Sequence, residues 1–279
     1  MRGSRKRRAA AFDALATAVA ICIGLAVVFP IVYCVLGAFK TRPEFASIPP
    51  TIWPESFHLD NFREVLAKTP MLRYMLNSLI TSTIGSGARI LFALLAAYAF
   101  AFYEFKGKNF FFFLVLATTM LPADTLIVTN YLTVSRLHLM DNYLGMSIIY
   151  FVGATQMFML RQHFRTIPQD FRDAATLDGC GDLGFITRVL LPISRPVVMT
   201  LFVQSFVTLW NVYLWTLLVT NKDSLRTVQV GITMLTTVED TNYSLVMAGV
   251  ALLLIPSFIL FIILQRNIVK GMLSGGLVG

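Results

Sequence analysis

The chain has 279 residues, of which 56% are hydrophobic and only 14% are charged, and its mean hydropathy is +0.70. An ordinary soluble domain carries about 25% charged residues, so this composition indicates that lipid is the main solvent. The three cysteines and three histidines lack the spacing of a metal or redox motif, which excludes zinc and haem chemistry. The net charge of +8 is explained by anchoring to anionic membrane lipid rather than by binding to nucleic acid.

Six apolar segments are long enough to cross a bilayer, whose core of about 30 Å needs roughly 20 residues of helix. They cover residues 14–39, 76–102, 110–134, 143–160, 196–220 and 244–264. The second and third segments each contain one charge, Arg89 and Asp124. The sequence therefore predicts an all-α integral membrane protein with six transmembrane helices. Residues 14–264 form its transmembrane domain, between a basic amino-terminal tail (1–13) and a carboxyl-terminal tail (265–279).

The distribution of Lys and Arg predicts the orientation of these spans. With a cytoplasmic amino terminus, 14 of the 23 basic residues fall in cytoplasmic segments, 8 fall in the opposite segments, and Arg89 is intramembrane. Both termini of this multi-pass protein are therefore predicted to be cytoplasmic. The first apolar run is much longer than the core of a signal peptide, which has about 7 to 15 residues. We interpret it as an uncleaved anchor.

The longest predicted cytoplasmic stretch, residues 161–195, separates the fourth and fifth spans. Pro168 suits the first turn of a helix, and the acidic side chains after it complement the positive end of a helix dipole. Glycines then interrupt the pattern before an apolar face resumes at Asp182. The pattern predicts two short amphipathic helices joined by a glycine turn. They either lie on the lipid surface or dock onto a cytoplasmic partner, and the four acidic residues disfavour adsorption to anionic lipid.

Seven positions of this stretch resemble the signature loop of bacterial ABC-importer permeases, E-A-A-x3-G-x9-I-x-L-P. The matching residues are Asp173, Ala174, Ala175, Gly179, Val189, Leu191 and Pro192. Asp replaces Glu at the first position and Val replaces Ile at the fifth, and both changes are mild. Asp178, directly before the glycine, also fits the family pattern Leu-Asp-Gly.

The resemblance extends over nearly the whole chain and is strongest to the carbohydrate-uptake branch, whose example is the second membrane subunit of the maltose system. Asn77-Ser78 and Trp210-Asn211 are among the matching dipeptides. Within that branch, Arg161-Gln162-His163-Phe164 and residues 210–215 look most like the glycerol-3-phosphate and glycerophosphodiester permeases. The solute that this resemblance implies is a sugar or a solute of the glycerol-3-phosphate type.

The resemblance implies a bacterial inner-membrane complex of this permease, a sister permease, two ATPase subunits and an extracytoplasmic solute-binding protein. The loop 168–192 would sit in a cleft of one ATPase subunit and couple ATP hydrolysis to rocking of the helices. The sequence contains no phosphate-binding motif GxxxxGK[ST]. ATP and Mg²⁺ are therefore expected on the partner ATPase, with no cofactor and no metal on this chain.

Five polar residues inside the predicted spans are candidates for the solute path: Arg89, Asp124, Gln204, Asn211 and Tyr213. Arg89 either attracts an anionic phosphate group or forms a structural pair or snorkels to the interface. Asp124 either contacts the solute or caps the helix that follows it. The other three side chains either form hydrogen bonds with the solute or hold neighbouring helices together.

Two other function classes compete with an importer permease. An ion-coupled secondary transporter of a small polar solute is expected to have paired charges in several spans and inverted repeats, but only two intramembrane charges and no repeat are visible here. A membrane-embedded enzyme needs a cluster of catalytic His, Asp or Cys at the interface, and the sequence has none. The predicted function is therefore that of a transport subunit without catalytic residues, and the secondary transporter is the alternative.

Overall fold

The computed structural model of the chain describes residues 2–235 and 242–276, with side chains for 12–122, 125–235, 242–259 and 262. Every regular element in these ranges is helical, as predicted. The α-helices in chain order are α1 Arg2–Gly37, α2 Arg42–Phe45, α3 Asp60–Lys68, α4 Met71–Phe102, α5 Lys108–Ala117, α6 Ile127–Arg136, α7 Tyr143–Ser147, α8 Ala154–Phe164, α9 Asp170–Leu177, α10 Asp182–Phe185, α11 Leu191–Trp210, α12 Leu214–Val219, α13 Val228–Thr233 and α14 Tyr243–Gly276. The chain divides into two compact units, Met1–Thr69 with Ile232–Leu254 and Pro70–Gly231 with Ile255–Gly279.

Three single helices among the described residues are long and apolar enough to cross a membrane: Phe12–Gly37, Met71–Phe102 and Asp182–Trp210. A fourth candidate is the pair Tyr143–Tyr150 and Ala154–Phe164, which bends by 54°. Two shorter apolar segments, Lys108–Met120 and Tyr243–Ile259, lie within or beside the third and sixth predicted spans. The count of six spans and the bounds of the transmembrane domain and its tails stay predictions.

Three of the predicted spans are interrupted in the structure. The breaks fall at residues 121–122, 151–153 and 211–213. Pro122 at the first break has no backbone N–H with which to continue a helix. At the third, the Asn211 side chain donates to the Val207 carbonyl at 2.8 Å and so competes with the backbone ladder. Non-helical backbone within a membrane is tolerated where it is buried in protein or lines a cavity. An apolar sequence does not show where these surroundings occur, so the sequence did not predict the breaks.

In the first unit, buried polar side chains organise the loop after α1. Lys40 is only 1% exposed, and its Nζ donates to the carbonyl and, at 2.8 Å, to the Oγ1 of Thr51. The Asn61 amide donates to the carbonyls of Ala38 and Lys40, both at 2.8 Å. Glu44 completes a capping box with Thr41 at the start of α2. The loop is therefore held by specific hydrogen bonds, whereas the apolar helix 12–37 is exposed along most of its length.

In the second unit, α8 and α11 pack along α4, the longest helix of this unit. Its buried apolar residues recur with helical spacing and include Ile90, Ala93, Leu94 and Ala97. The small alanines allow the neighbouring helices to approach closely. An unbroken helix of 32 residues, about 48 Å at 1.5 Å per residue, therefore joins the two ends of this unit.

Among the hydrogen bonds that join the amino-terminal end of α4 to the loop before α13, those of Asn77 and Ser78 are neutral and buried. The Asn77 amide is 1% exposed and donates to the carbonyls of Ser224 at 3.0 Å and Arg226 at 2.9 Å. It accepts a hydrogen bond from the Tyr143 hydroxyl at 2.7 Å. The Ser78 hydroxyl accepts from the Val228 amide at 2.9 Å. The dipeptide Asn77-Ser78 therefore fixes this loop on α4.

Asp141 supports the same loop from the turn before α7. Its Oδ1 accepts hydrogen bonds from the backbone amides of Asn221 at 2.6 Å and Lys222 at 2.8 Å. These two N–H groups, with that of Lys222 contributing most, lower the pKa of the Asp141 carboxyl. Asp141 itself has a φ of 53°, a left-handed conformation that Asp and Asn tolerate better than most residues.

Candidate functional site

The predicted docking loop, residues 168–192, contains α9, a glycine turn and the start of a long helix. Pro168 and Gln169 lead into α9, and Gly179 follows it with a φ of 74°. Only glycine adopts this left-handed conformation at little cost, which explains the residue at this position. The predicted second short helix is instead the beginning of the span Asp182–Trp210, because α10 continues through a π-turn at Ile186–Leu190 into α11. We refer to residues 168–192 as the docking segment.

Most of the signature residues of the docking segment are exposed. Asp173, Ala174, Asp178, Gly179 and Pro192 lie at the surface, Val189 and Leu191 are partly buried, and Ala175 packs into the core. Two large apolar side chains flank the glycine turn, Leu177 at 89% exposure and Leu183 at 73%. Exposed apolar side chains beside acidic ones are typical of a surface that binds a partner.

The docking segment is fastened to the carboxyl-terminal end of α4 by Arg172. Its Nη1 donates to the Phe102 carbonyl at 2.6 Å, and its guanidinium carbon lies 4.8 Å from the centroid of the Tyr103 ring. Nη2 is 3.5 Å from the Asp182 carboxylate. The last carbonyls of a helix have no partner within the helix. Arg172 therefore satisfies one of them and neutralises part of the negative end of the α4 dipole.

Asp182, the first residue of α10, binds the same end of α4. It accepts hydrogen bonds from the Tyr98 hydroxyl at 2.6 Å and from the Tyr103 hydroxyl. The bond to Asp182 raises the pKa of the Tyr103 hydroxyl. Arg172, Tyr98 and Tyr103 were not predicted from the sequence to have a role. The sequence did offer one signal for these residues, because tyrosines and arginines are enriched at the ends of apolar spans.

A second arginine binds the carbonyl two residues earlier on α4. Arg161 of α8 donates from Nε to the Phe100 carbonyl at 3.2 Å, and its guanidinium carbon lies 4.1 Å from the centroid of the Phe112 ring. An arginine over an aromatic face gains a cation–π attraction in addition to its hydrogen bond. Two arginines from two different helices thus cap the carboxyl-terminal end of α4.

A cavity of about 750 Å³ lies within the second unit, along the middle of α4. The lining residues are Arg89, Thr118, Leu121, Leu126, Ile127, Asn130, Ile149, Tyr150, Val152, Thr208, Val212, Tyr213, Leu214 and Trp215. Two predicted path residues, Arg89 and Tyr213, are among them. Arg89 is the single charged side chain of this described lining. The cavity is thus a mostly apolar, partly aromatic space with one cation in its wall.

Arg89 also has a structural contact. Its Nε donates to the Tyr150 carbonyl at 2.8 Å, just before the helix break at residues 151–153. Its stem passes Gly153, where an added Cβ would come within 2.8 Å of the Arg89 Cγ. Within the described part of the chain, Arg89 forms no ion pair, and Nε is the only one of its nitrogens in a hydrogen bond. One nitrogen thus closes the break, and the two terminal nitrogens have no hydrogen bond with the described residues.

Asn211 and Gln204 are not among the described residues that line this cavity. Asn211 donates to Val207 and accepts from the Gln229 amide at 3.2 Å, which agrees with a role in holding the structure together. Gln204 is exposed on α11. The side chain of Asp124 lies outside the described residues. The sequence analysis missed Thr118, Asn130 and Thr208, polar residues near or within apolar spans that line the cavity.

The family model of the binding-protein-dependent transport system inner membrane component matches residues 89–274, more than half of the chain. The chain belongs to this family. The match includes the docking segment, Arg89 and the other described residues of the cavity lining. The protein is therefore a membrane permease component of a transport system and not itself an enzyme.

Relatives of known function agree with this assignment to a permease. The arabinooligosaccharides transport system permease protein AraQ of Halalkalibacterium halodurans is 30% identical over 260 residues, which cover 92% of this chain and 93% of the relative. The sn-glycerol-3-phosphate transport system permease protein UgpE of Pectobacterium atrosepticum is 31% identical over 258 residues, with 90% and 92% covered. A bacterial ABC transporter involved in the import of the acidic polysaccharide alginate has a chain with the same fold. Its TM-score is 0.81 at 20% identity, over 92% of this permease and 96% of that chain.

Proposed function

We propose that this permease moves a sugar or a solute of the glycerol-3-phosphate type into the cytoplasm, using ATP hydrolysed by a separate subunit. The relatives named for arabinooligosaccharide and sn-glycerol-3-phosphate transport support this range of solutes. The complex contains a sister permease, two ATPase subunits that hold ATP and Mg²⁺, and an extracytoplasmic solute-binding protein. The observation that carries the proposal is the docking segment, with its exposed apolar side chains and acidic residues around a left-handed glycine.

The docking segment binds a cleft of the ATPase in this proposal. Leu177 and Leu183 supply apolar surface, and Asp173 supplies a charge that fixes the orientation of the contact. Asp173 is exposed and forms no ion pair with the described residues, so its carboxylate is available to a partner. Closing of the ATPase pair around ATP moves the segment and switches the helices between inward-facing and outward-facing states. Both termini lie on the same, cytoplasmic side as the docking segment.

The cavity beside Arg89 is the proposed solute path of this subunit. The two terminal guanidinium nitrogens can donate to phosphate oxygens in the bidentate geometry that arginine favours. The rings of Tyr150 and Tyr213 in the same wall offer apolar faces to the carbon skeleton of a sugar. The path therefore suits an anionic sugar derivative as well as a neutral sugar, and the solute-binding protein selects between them.

Reconstitution of the complex in proteoliposomes tests the proposed function. The solute-binding protein is first screened with sn-glycerol 3-phosphate, glycerophosphodiesters and arabinooligosaccharides, and the bound solute is then used in radiolabelled form. We expect uptake to require ATP, the ATPase and the loaded binding protein, and to stop when the ATPase carries a variant that binds but does not hydrolyse ATP. Uptake by this chain alone under an ion gradient would instead establish the secondary transporter.

A further inference from the structure

We propose that Arg172, Asp182, Tyr98 and Tyr103 form a joint that transmits movement of the docking segment to α4. This inference rests on the proposed function, because it assigns the route by which a push on the docking segment reaches the solute cavity. The joint brings together three parts of the second unit. Arg172 comes from α9, Asp182 begins α10, and the two tyrosines lie at the end of α4.

The first step concerns α9, which cannot hold its position by itself. A helix of eight residues is too short to be stable in isolation, and only Ala175 of α9 is buried. Arg172 is its one side chain with hydrogen-bonding, ionic and aromatic contacts to the rest of the described unit: the Phe102 carbonyl, the Asp182 carboxylate and the Tyr103 ring. A displacement of α9 must therefore either carry these groups along or break their contacts.

The second step concerns the kind of bonds in the joint. The side chains of Arg172 and Asp182 are 27% and 50% exposed, and an ion pair at such a place contributes little stability by itself. The bonds from Arg172 to a carbonyl and from two tyrosine hydroxyls to one carboxylate are directional and charge-assisted. They fix the geometry between α9, α10 and α4 more than they stabilise the fold. That property suits a part that must transmit position while the protein changes state.

The third step follows α4 from the joint to the cavity. Phe102 and Arg89 lie on the same unbroken helix, 13 residues or about 20 Å apart along its axis. A helix packed on both sides moves as a rigid element, so a shift at its carboxyl-terminal end reaches Arg89. Because Asp182 also begins the span that continues into α11, the joint ties both arms of the docking segment to one another and to α4. The test therefore measures coupling between the docking segment and the cavity directly.

The test uses the full complex, with Thr208→Cys as a reporter in the cavity wall. The native cysteines at positions 22, 34 and 180 are first replaced by Ser or Ala. The rate of labelling by a membrane-impermeant maleimide is measured in the nucleotide-free state and after trapping with ATP and vanadate. We expect the two rates to differ in the parent complex, because cavity access changes with nucleotide. If the parent shows no difference, the proposed function itself fails and the joint falls with it.

In Arg172→Ala and Asp182→Asn we expect this difference between the two rates to be lost, while subunit stoichiometry and ATP hydrolysis are retained. Arg172→Lys should recover part of it, since lysine still donates to the Phe102 carbonyl but lacks the planar group that stacks on Tyr103. The double variant Arg172→Ala with Asp182→Asn should lose no more of the difference in labelling rate than either single variant. Residues that act together in one network show such non-additive effects. Arg63→Ala is the matched control, because it breaks an exposed ion pair that also measures 3.5 Å.

The joint is overturned if Arg172→Ala and Asp182→Asn both keep the parental difference between the two labelling rates. It is also overturned if the complex fails to assemble with Arg172→Ala and Arg172→Lys alike, since the contacts would then be required for the fold rather than for transmission. Tyr103→Phe, which removes one hydroxyl and keeps the ring, should lose only part of the difference.

Discussion

The two ends of α4 are held in different ways. At the amino-terminal end, Asn77 and Ser78, both 1% exposed, bind the loop before α13 through neutral hydrogen bonds. Two charged contacts lie beside them, from Arg73 to the Ser224 carbonyl and from the Tyr74 hydroxyl to the Asp223 carboxylate, both at 2.7 Å. At the carboxyl-terminal end, Arg172 and Asp182 bind the helix through charged groups that are partly in water. A buried polar group that loses its partner pays its full desolvation cost, whereas a half-exposed charge can exchange its partner for water. Because only the amino-terminal end has the buried, neutral bonds of Asn77 and Ser78, we call it the fixed end of α4 and the carboxyl-terminal end the adjustable end.

Asn77→Ala breaks the fixed end, and we expect it to have the largest effect. It removes three hydrogen bonds, and each buried group left unsatisfied costs about 1–3 kcal/mol. The thermal unfolding temperature and the yield of assembled complex should both fall. Tyr143→Phe removes only the hydroxyl that donates to Asn77, and so separates this bond from the two bonds to carbonyls. Thr83→Ala, an exposed position on the same helix, is the control. An unchanged unfolding temperature in Asn77→Ala would contradict the idea of a fixed end.

Asp173→Lys acts at the adjustable end without touching the joint. We expect uptake to fall by more than about tenfold while ATP hydrolysis and membrane insertion persist, since a wrong charge at an interface costs several kcal/mol. Asp170→Lys is matched to it, because both residues are exposed in the first turn of α9 and a lysine there opposes the helix dipole equally. If Asp170→Lys and Asp173→Lys lose uptake equally, the cause is destabilisation of helix α9 and not the loss of a specific contact of Asp173.

Gly179→Ala tests whether the turn of the docking segment needs its backbone conformation. A Cβ at this glycine would meet nothing within 4 Å, so the substitution acts only through the φ of 74°. Left-handed backbone costs an L-residue about 1–2 kcal/mol, and we expect a roughly tenfold loss of coupled uptake. Gly181→Ala has the same open space but a φ of −73° and should behave as wild type. Gly179→Leu should lose more than Gly179→Ala. Wild-type uptake in both would remove the turn from the mechanism.

Arg89→Gln probes the middle of α4, between the two ends. For a phosphoester solute we expect uptake to fall several-fold and Arg89→Lys to recover part of it, because a point charge replaces a bidentate group. For a neutral sugar the loss should be small. Arg73→Gln on the same helix is the matched control, since Arg73 also donates from Nε to a carbonyl, that of Ser224 at 2.7 Å. Unchanged phosphoester uptake in Arg89→Gln would exclude Arg89 from the solute path and leave it only the hydrogen bond to the Tyr150 carbonyl.

Asp141→Asn tests a charged, partly exposed contact beside the fixed end of α4, and we expect it to have the smallest effect on stability of the variants considered. Asparagine tolerates the left-handed backbone and keeps an acceptor, so the loss should be under about 1 kcal/mol. Because the fold lowers the pKa of this carboxyl, its contribution is present above the unfolded pKa of about 3.9 and is lost as pH falls through the lower folded value. The difference in unfolding temperature between wild type and variant should therefore disappear in acid. A constant difference would exclude the carboxylate charge as its cause.

The sequence predicted those features that are encoded locally. The run 76–102 falls within α4, and the run 14–39 falls within α1 except for its last two residues, because length and hydropathy suffice to define these helices. The spacing of the signature residues singled out residues 168–192, whose docking role stays a prediction. The breaks in three other predicted spans escaped detection, since apolar composition does not show where neighbouring helices and a cavity allow the backbone to open.

The joint and most of the cavity could not be predicted because their residues meet only in three dimensions. Tyr98 and Asp182 are 84 positions apart, and Arg89 reaches Tyr150 across 61. The sequence singles out Arg89 because a charge within an apolar span is unusual, whereas a basic residue such as Arg172 is ordinary in a cytoplasmic loop. Its role depends on the carbonyl of Phe102, a backbone group that leaves no trace in the sequence.

The missing side chain at Gly153 constrains how this protein can change over generations. The stem of Arg89 occupies the space that a Cβ at position 153 would need, with its Cγ and Cδ at 2.8 and 2.9 Å. The backbone there has an ordinary φ of −133°, so only this crowding, together with the nearby Gln156 side chain, excludes alanine. The Gln156 Oε1 is closer still, at 2.3 Å, so Gly153→Ala should be harmful in the native chain and tolerated only when Arg89 and Gln156 are both shortened. A lineage would have to change both side chains before it could fill position 153, and an alanine there would then oppose the return of the arginine.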